Sequence, residues 1–280
     1  MKLLKFFVNN ISLLSQIRNE HCCMNTKPKH LICFKNWSAP MVLEVLESAM
    51  NLKCTIGNTH GKRLDVLAGS KVMILQELNE PFLNMAVSKA ATLLGAYDVN
   101  IVDNLAWDQD YMGRVFSFMA DAIFVATMTH MCVQRFANQS TVPVVCMRSR
   151  THASIQSLAT MMAIINNPVS PLLYKASENM TAKSHTALKA CSEKEEVLKD
   201  ATVIIAGPSN VNKINEFKLA IDDIDKQKRN HWIFFHTGPR GKEVDDKLFF
   251  HENSKTFVAF ENFHYIAAAL MANVMKDYKF

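Results

Sequence analysis

Hydrophobic and polar positions along this chain change period repeatedly, which predicts strands and helices in alternation. Short apolar runs bounded by polar or turn-forming residues are typical of strands that are buried on both faces. Longer segments between them repeat apolar residues every three or four positions, as amphipathic helices do. The predicted strands of the first half are Val72–Leu75, Val99–Val102, Ala122–Val125 and Val142–Val145. This alternation indicates a parallel sheet covered by helices.

Helical spacing is clear in the segments between these strands. Ser38 is suited to cap the first helix, and Pro40 then lies in its first turn. Leu83, Val87, Ala90 and Leu94 mark the helix that follows the first strand. Further helices are predicted around Met112–Met119, Cys132–Ala137 and Ser154–Ile165.

The second half of the chain repeats the alternation in a thinner form. Candidate strands are Val203–Ile205, Trp232–Phe235 and Thr256–Phe260, and a final helix is predicted from about His264 to Met275. Proline and polar residues over 166–184 break the rhythm and indicate a linker. The predicted fold class is therefore α/β, with two doubly wound parallel-sheet domains, the second shortened. The expected divisions are an arm or presequence (1–28), a first α/β domain (29–165), a linker (166–185) and a second domain with a closing helix (186–280).

Composition narrows the class of protein. The 280 residues are 49% hydrophobic and carry a net charge of +5, which is too modest for a dedicated nucleic-acid binder. Seven cysteines without regular spacing argue against a disulfide framework, and no C-x-x-C pair indicates structural zinc. Reduced thiols indicate an intracellular protein. No apolar run reaches the 18 residues of a membrane span.

The first residues leave the compartment open. Lys2, Lys5 and Arg18 outnumber the single acid Glu20, and apolar residues fall on one helical face. This pattern fits a mitochondrial presequence. It fits a surface helix or a disordered arm equally well, so both the cytoplasm and the mitochondrial matrix remain expectations.

The most informative segment is the turn Glu80–Asn84, between the first strand and the next helix. In an α/β protein an anionic ligand is commonly bound at such a turn by backbone N–H groups and the helix dipole. The elements on either side, together with short strings elsewhere, resemble the aspartate/ornithine carbamoyltransferase family, and its ornithine branch in particular. The resemblance covers about residues 29–280. The strings that carry it are Leu67–Lys71, Leu93–Ala96, Ala120–Ile123, Val142–Val144, Gln156–Ala159, His236–Pro239, Gly241–Val244 and Glu261–Asn262.

The resemblance implies a substrate site that this chain has lost. The family's Ser-Thr-Arg-Thr-Arg phosphate loop falls on Glu80, Pro81, Phe82, Leu83 and Asn84. A second family arginine falls on Ala126, and the His-Pro-Cys-Gln motif becomes Ala153–Gln156 with only Gln156 kept. Thr237 replaces the cysteine beside His236, and Phe263 replaces the arginine after Glu-Asn. The family's Asp-x-Trp-x-Ser-Met string is also missing.

These losses predict that the chain does not catalyse carbamoyl transfer. Losing three arginine–phosphate contacts removes about 5–9 kcal/mol of binding energy, and Glu80 adds repulsion. The leading hypothesis is a non-catalytic scaffold or adaptor that needs no cofactor.

The family is typically trimeric with its site at the subunit interface, which implies a homotrimer or another homo-oligomer. The alternative is an enzyme or small-molecule sensor with an altered ligand in the old cleft.

Four further groups of residues have both a structural and a functional interpretation. His236 and Gln156 are interpreted as remnants that hold loops at the sheet end. His130, Cys132, Cys146 and His152 lack paired ligand spacing, so no metal site is predicted. Lys226, Lys228 and Arg229 form a basic cluster that suits contact with RNA in a ribonucleoprotein, but nearby acids favour a solvated helix end.

Phe82 and Leu83 are expected to plug the old site or to bind a protein partner.

Overall fold

The computed structural model describes residues 28–34, 37–58, 63–104, 111–166, 193–207, 218–227, 231–238 and 240–280. Its first sheet has four parallel strands in the order β2-β1-β3-β4. They are β1 Lys71–Gln76, β2 Asp98–Asp103, β3 Ala122–Ala126 and β4 Val144–Arg148. The first three predicted strands are confirmed. The fourth begins two residues late, at Val144, because Pro143 has no N–H for the ladder and contributes only its carbonyl, which accepts from Ile123.

Helices cover both faces of this sheet, as the apolar patterning predicted. They are α1 Ala39–Asn58, α2 Pro81–Leu93, α3 Met112–Phe116, α4 His130–Gln139 and α5 Ser154–Asn166. Ser38 lies at the N-cap position of α1, and its carbonyl accepts the N–H of Val42. The helix predicted over Met112–Met119 is shorter than expected, ending at Phe116.

A second sheet consists of two parallel strands among the described residues, β5 Val203–Ala206 and β6 Ile233–His236. Short helices flank it: α6 Lys194–Leu198, α7 Ile221–Asp225 and α8 Asp246–Phe249. The long helix α9, Thr256–Lys276, follows and ends the fold. It packs against α1, α2 and α5 on the first sheet and also contacts β6.

Two predictions for this region were wrong. Thr256–Phe260 is not a strand but the first turns of α9, so the closing helix begins well before His264. Glu261 and Asn262 accordingly lie inside this helix instead of preceding it. The apolar run misled because Ala259 and Phe263 continue its buried face at helical spacing.

Several sequence-based expectations fall outside the described residues. These are the arm or presequence over 1–27 and nearly all of the predicted linker, apart from its first residue. Lys228 and Arg229 of the basic cluster also fall outside. Among the residues that are described, no helix is long and apolar enough to cross a membrane.

Candidate functional site

The strand order creates a crevice between the carboxyl ends of β1 and β3. The chain leaves β1 toward β2 on one side and leaves β3 toward β4 on the other, so the loops diverge there. Parallel α/β sheets bind ligands at this topological switch point. The final register pair, Gln76 beside Ala126, marks the floor of the crevice. Glu80, at the N-cap of α2, and the first helical turn Pro81–Asn84 therefore lie where the sequence predicts an anion site.

A carboxylate that the sequence analysis did not single out spans this crevice. Glu77 follows β1, and its Oε2 accepts hydrogen bonds from Thr127 Oγ1 at 2.7 Å and from the Met128 backbone N–H at 2.9 Å. Both donors belong to the loop after β3. Hydrogen-bond donors at a switch point can bind an anionic ligand. In this chain Glu77 accepts from these donors instead.

The second carboxylate, Glu80, forms an ion pair with Arg148 at the end of β4. The Nη1 of Arg148 lies 2.9 Å from one carboxylate oxygen and 3.1 Å from the other. Burial raises the pKa of Glu80, although the charge and hydrogen bond of Arg148 act in the opposite direction. The side chains are 23% and 18% exposed, so the pair is mostly withdrawn from water. Each charge therefore neutralises the other at the crevice.

Asn84 sits in a polar chain beneath the turn. Its amide donates to Gln76, whose own amide donates to Asp103. Within the described residues, two buried side-chain atoms have no hydrogen-bond partner, Asn84 Oδ1 and Ser154 Oγ. Buried polar atoms normally have a partner, so these two oxygens are exceptions in this structure.

The apolar residues of the turn separate into two environments. Leu83 is buried in the core, and Ala126 and Phe263 are buried as well. Phe82 is 65% exposed and stacks on Phe260 with ring centroids 6.0 Å apart. Phe263 meets the other edge of Phe260 at 5.4 Å. Leu83 therefore fills protein interior, whereas Phe82 remains on the surface.

His236 at the end of β6 has both ring nitrogens engaged. Its Nδ1 accepts the backbone N–H of Gly238 at 2.9 Å, which places the hydrogen on Nε2, and Nε2 lies 2.8 Å from Glu243 Oε1. Burial lowers the pKa of His236, despite the opposing effect of Glu243. The neighbouring Thr237 donates its hydroxyl to the carbonyl of Ala206. These contacts join the loops at the end of the second sheet.

The remaining predicted residues are dispersed. Gln156 is buried in the first turn of α5, where its backbone carbonyl accepts from Thr160 Oγ1. Lys226 is exposed at the end of α7, close to the acids of that helix. Lys226 is the one member of the basic cluster among the described residues.

Two of the weighed histidines do come together. The rings of His130 and His152 stack with centroids 3.8 Å apart, and Cys33 joins them from a distant part of the chain. Cys132 and Cys146 are not members of this group. Burial raises the pKa of the Cys146 thiol to about 12, which keeps it protonated.

Comparison with known proteins places these features in context. No family model matches the chain. The mitochondrial ornithine carbamoyltransferase of Aquarana catesbeiana is 22% identical over 312 aligned positions, covering 90% of this chain and 88% of that protein. The structure of ornithine carbamoyltransferase from Pyrococcus furiosus matches with a TM-score of 0.78 at 20% identity, over 90% of this chain and 98% of that one. Ornithine transcarbamoylase from Giardia lamblia matches with a TM-score of 0.75 at 13% identity, over 91% and 100% of the two chains.

The class of protein follows from the sheet order and these matches. The chain has the parallel-sheet α/β fold of the carbamoyltransferases. Its neighbours in both sequence and structure are ornithine carbamoyltransferases. The predicted fold class and the predicted resemblance are confirmed.

Sequence reasoning missed two residues at the crevice, Glu77 and Arg148, and one residue outside it, Cys33. Glu77 was visible as the second residue after a predicted strand. Arg148 is the last residue of the fourth strand, and only the strand order brings it to Glu80. Cys33 gave no local signal, because its neighbours come from residues about 100 positions further along the chain.

Proposed function

We propose that this protein is a non-catalytic carbamoyltransferase-like scaffold. The observation that carries the proposal is the Glu80–Arg148 ion pair at the switch point, where two carboxylates now occupy the position of a phosphate-binding turn. Glu77 takes up hydrogen-bond donors and Glu80 takes up the nearby guanidinium. A dianionic phosphate brought here would meet two carboxylates, together with hydrogen-bond donors and a guanidinium that these carboxylates already use.

The residues that replace the family's arginines support loss of catalysis as well as loss of phosphate binding. Transfer of a carbamoyl group requires fixed donors aimed at the charge that develops in the transition state. Ala126 and Phe263 are buried apolar residues at positions where the family resemblance implies arginines. Replacing each such charged contact costs about 1.5–3 kcal/mol. Activity would therefore fall by several orders of magnitude.

A direct assay tests this part of the proposal. Purified full-length protein is incubated with carbamoyl phosphate and ornithine, and citrulline formation is followed beside the Pyrococcus furiosus enzyme as a positive control. We expect no product above the rate without protein, and no binding of carbamoyl phosphate by calorimetry. Product formation that disappears in an Arg148→Met variant would overturn the proposal.

The scaffold role is supported by a strip of exposed phenylalanines next to the rewritten turn. Phe82 stacks on Phe260, Phe260 meets Phe257 at 6.4 Å, and Phe257 stacks on Phe250 at 5.8 Å. Phe82, Phe250 and Phe257 are each more than half exposed. We propose that a second copy of this chain covers the strip, because the family resemblance implies a subunit interface beside this turn. Exposed aromatic clusters of this kind favour such contacts.

Sedimentation velocity tests the interface separately from the chemistry. We expect the wild-type protein to form an oligomer, and a Phe82→Ser/Phe257→Ser variant to shift toward the monomer with an unchanged circular dichroism spectrum. Phe118→Ser is a suitable control, because Phe118 is similarly exposed after α3 and does not belong to the strip. A monomeric wild-type protein would contradict the interface while leaving the result of the transfer assay intact.

One observation favours the alternative of a changed ligand. Asn84 Oδ1 and Ser154 Oγ are buried without partners among the described residues, which suits a small neutral polar molecule. Under this second candidate function, a thermal-shift screen finds a compound that stabilises the wild-type protein and not the Asn84→Leu variant. Selection of a cation by Glu80 is disfavoured, because Arg148 already holds that carboxylate.

A further inference from the structure

A separate cluster lies beyond the carboxyl end of β4, outside the lost substrate site. Cys33 follows the residues whose backbone pairs with β4, through the bridge between Leu31 and Val145. His130 is the first residue of α4, and His152 lies in the turn that precedes α5. One ligand atom from each of the three lies within 4.8 Å of the other two.

The two imidazoles are held in place by hydroxyl groups. Ser149 Oγ lies 3.3 Å from His130 Nδ1 and also accepts the backbone N–H of His152 at 3.2 Å. Thr151 Oγ1 lies 2.8 Å from His152 Nδ1. With each Nδ1 hydrogen directed to its hydroxyl, Nε2 carries the free lone pair. Metal-binding histidines are commonly oriented by such a contact at the other ring nitrogen.

We propose that Cys33, His130 and His152 bind Zn²⁺. One thiolate and two imidazoles make the mixed sulfur and nitrogen ligand set that this borderline-soft ion prefers. Tetrahedral Zn²⁺ with bonds of about 2.0–2.3 Å holds its ligand atoms roughly 3.4–3.8 Å apart. The three ligand atoms therefore need to move closer together by about 1 Å, which side-chain rotation can supply. All three residues are half-buried, which leaves the ion a route from solvent. The fourth position stays open to water or another ligand.

Binding of Zn²⁺ would crosslink three segments that are distant along the chain. The ion would link the segment that leads into α1 to the start of α4 and to the turn before α5. That turn directly follows Arg148, which pairs with Glu80. Zn²⁺ would therefore stabilise the folded protein by mass action, since the unfolded chain has no preformed site.

Cobalt substitution tests the site with a signal specific for the thiolate. Purified full-length protein is stripped with chelator and titrated with Co²⁺, and the thiolate-to-cobalt charge-transfer band is recorded; Zn²⁺ then competes for the site. We expect a band at one equivalent, a Tm that rises with Zn²⁺, and loss of both in Cys33→Ser. His130→Ala and His152→Ala are expected to weaken Zn²⁺ binding by more than the roughly 10–100-fold expected for loss of a supporting contact in Ser149→Ala.

Matched variants make the test decisive. Cys54 is exposed on α1 and His231 is exposed before β6, so Cys54→Ser and His231→Ala should leave the band and the Zn²⁺ affinity unchanged. Absence of the band in wild-type protein would overturn the proposal. A band that persists in Cys33→Ser, or that disappears only when Cys22 and Cys23 are replaced, would overturn it as well.

Discussion

At the scale of single residues, the crevice is defined by charge reversal followed by internal neutralisation. Glu80 stands where the family resemblance implies a hydroxyl, yet the carboxylate is not left without a counter-charge, because Arg148 contacts both of its oxygens. Removing one partner of a mostly buried ion pair is costly, since the remaining charge loses its counter-ion and is still withdrawn from water. The pair is therefore a structural element of the rewritten turn.

The ion pair gives a prediction for stability. Arg148→Met removes both contacts and leaves Glu80 buried without a cation, so the free energy of unfolding should fall by about 1–3 kcal/mol. The measurement is equilibrium urea denaturation followed by circular dichroism. Arg150→Met, at an exposed position two residues away, should change it by less than about 0.5 kcal/mol. Equal changes in the free energy of unfolding of the two variants would show that the Glu80–Arg148 pair does not stabilise the fold.

The sequence predicted a loss of arginines through the family resemblance, but it did not predict the contacts that Glu77 and Glu80 make. A missing arginine is visible at one position once the resemblance fixes the alignment. A new ion pair is not visible, because Glu80 and Arg148 are 68 positions apart and on different elements. The hydrogen bond from Thr127 to Glu77 could not be predicted for the same reason, because it depends on β1 and β3 being neighbours.

At the scale of elements, helix α9 determines how the two sheets are joined. Its small residues Ala267–Ala269 are fully buried, and the helix packs on α1, α2 and α5. Small side chains allow close approach of neighbouring helices, so this stretch has little room for added volume. Asn262 on the same helix donates to the carbonyl of Ala159 on α5, which fixes its position along the contact.

Overpacking this helix should be costly. Ala268→Leu inserts three carbon atoms into a contact with no exposed surface, and we expect the free energy of unfolding to fall by about 1–3 kcal/mol or more. Lys276→Leu, at the exposed end of the same helix, should have little effect. Chemical denaturation of both variants checks this. An unchanged midpoint for Ala268→Leu would contradict the close packing described for α9.

At the scale of the whole molecule, folding stability should depend on pH through His264. Its side chain is 7% exposed on α9. Its pKa is lowered to about 4, mainly by burial; the charges of Lys89 on α2 and Lys53 on α1 add to the shift, and Glu261 on its own helix opposes it. The folded state therefore resists protonation of this ring, whereas the unfolded chain takes up the proton near pH 6.5.

The sign of the pH dependence follows from these two values. Between about pH 6.5 and pH 4 the unfolded state binds more protons, so stability is complete above the unfolded pKa and is lost as pH falls toward the folded value. We expect a loss of up to about 3 kcal/mol from this group. His264→Gln should flatten this part of the stability profile, and His231→Gln, at an exposed histidine, should leave it unchanged. A wild-type profile that is already flat would contradict the shift.

The sequence by itself determined the α/β class and the four parallel strands of the first sheet, and through the family resemblance it predicted the loss of substrate residues. These follow from local information: buried strands need continuous apolar runs, helices need apolar residues every three or four positions, and a lost arginine is a change at one position. The same local information misassigned Thr256–Phe260, because a five-residue apolar run suits either a strand or a buried helix.

Only the tertiary structure decided which side chains meet. The strand order β2-β1-β3-β4 brings Glu77 to the loop after β3 and Arg148 to Glu80. The bridge from Leu31 to Val145 brings Cys33 to the two stacked histidines. The physical reason is that hydrogen bonds and ion pairs act over a few ångströms in space and are independent of separation along the chain. The chemistry of this protein's crevice is therefore fixed by strand order as much as by residue identity.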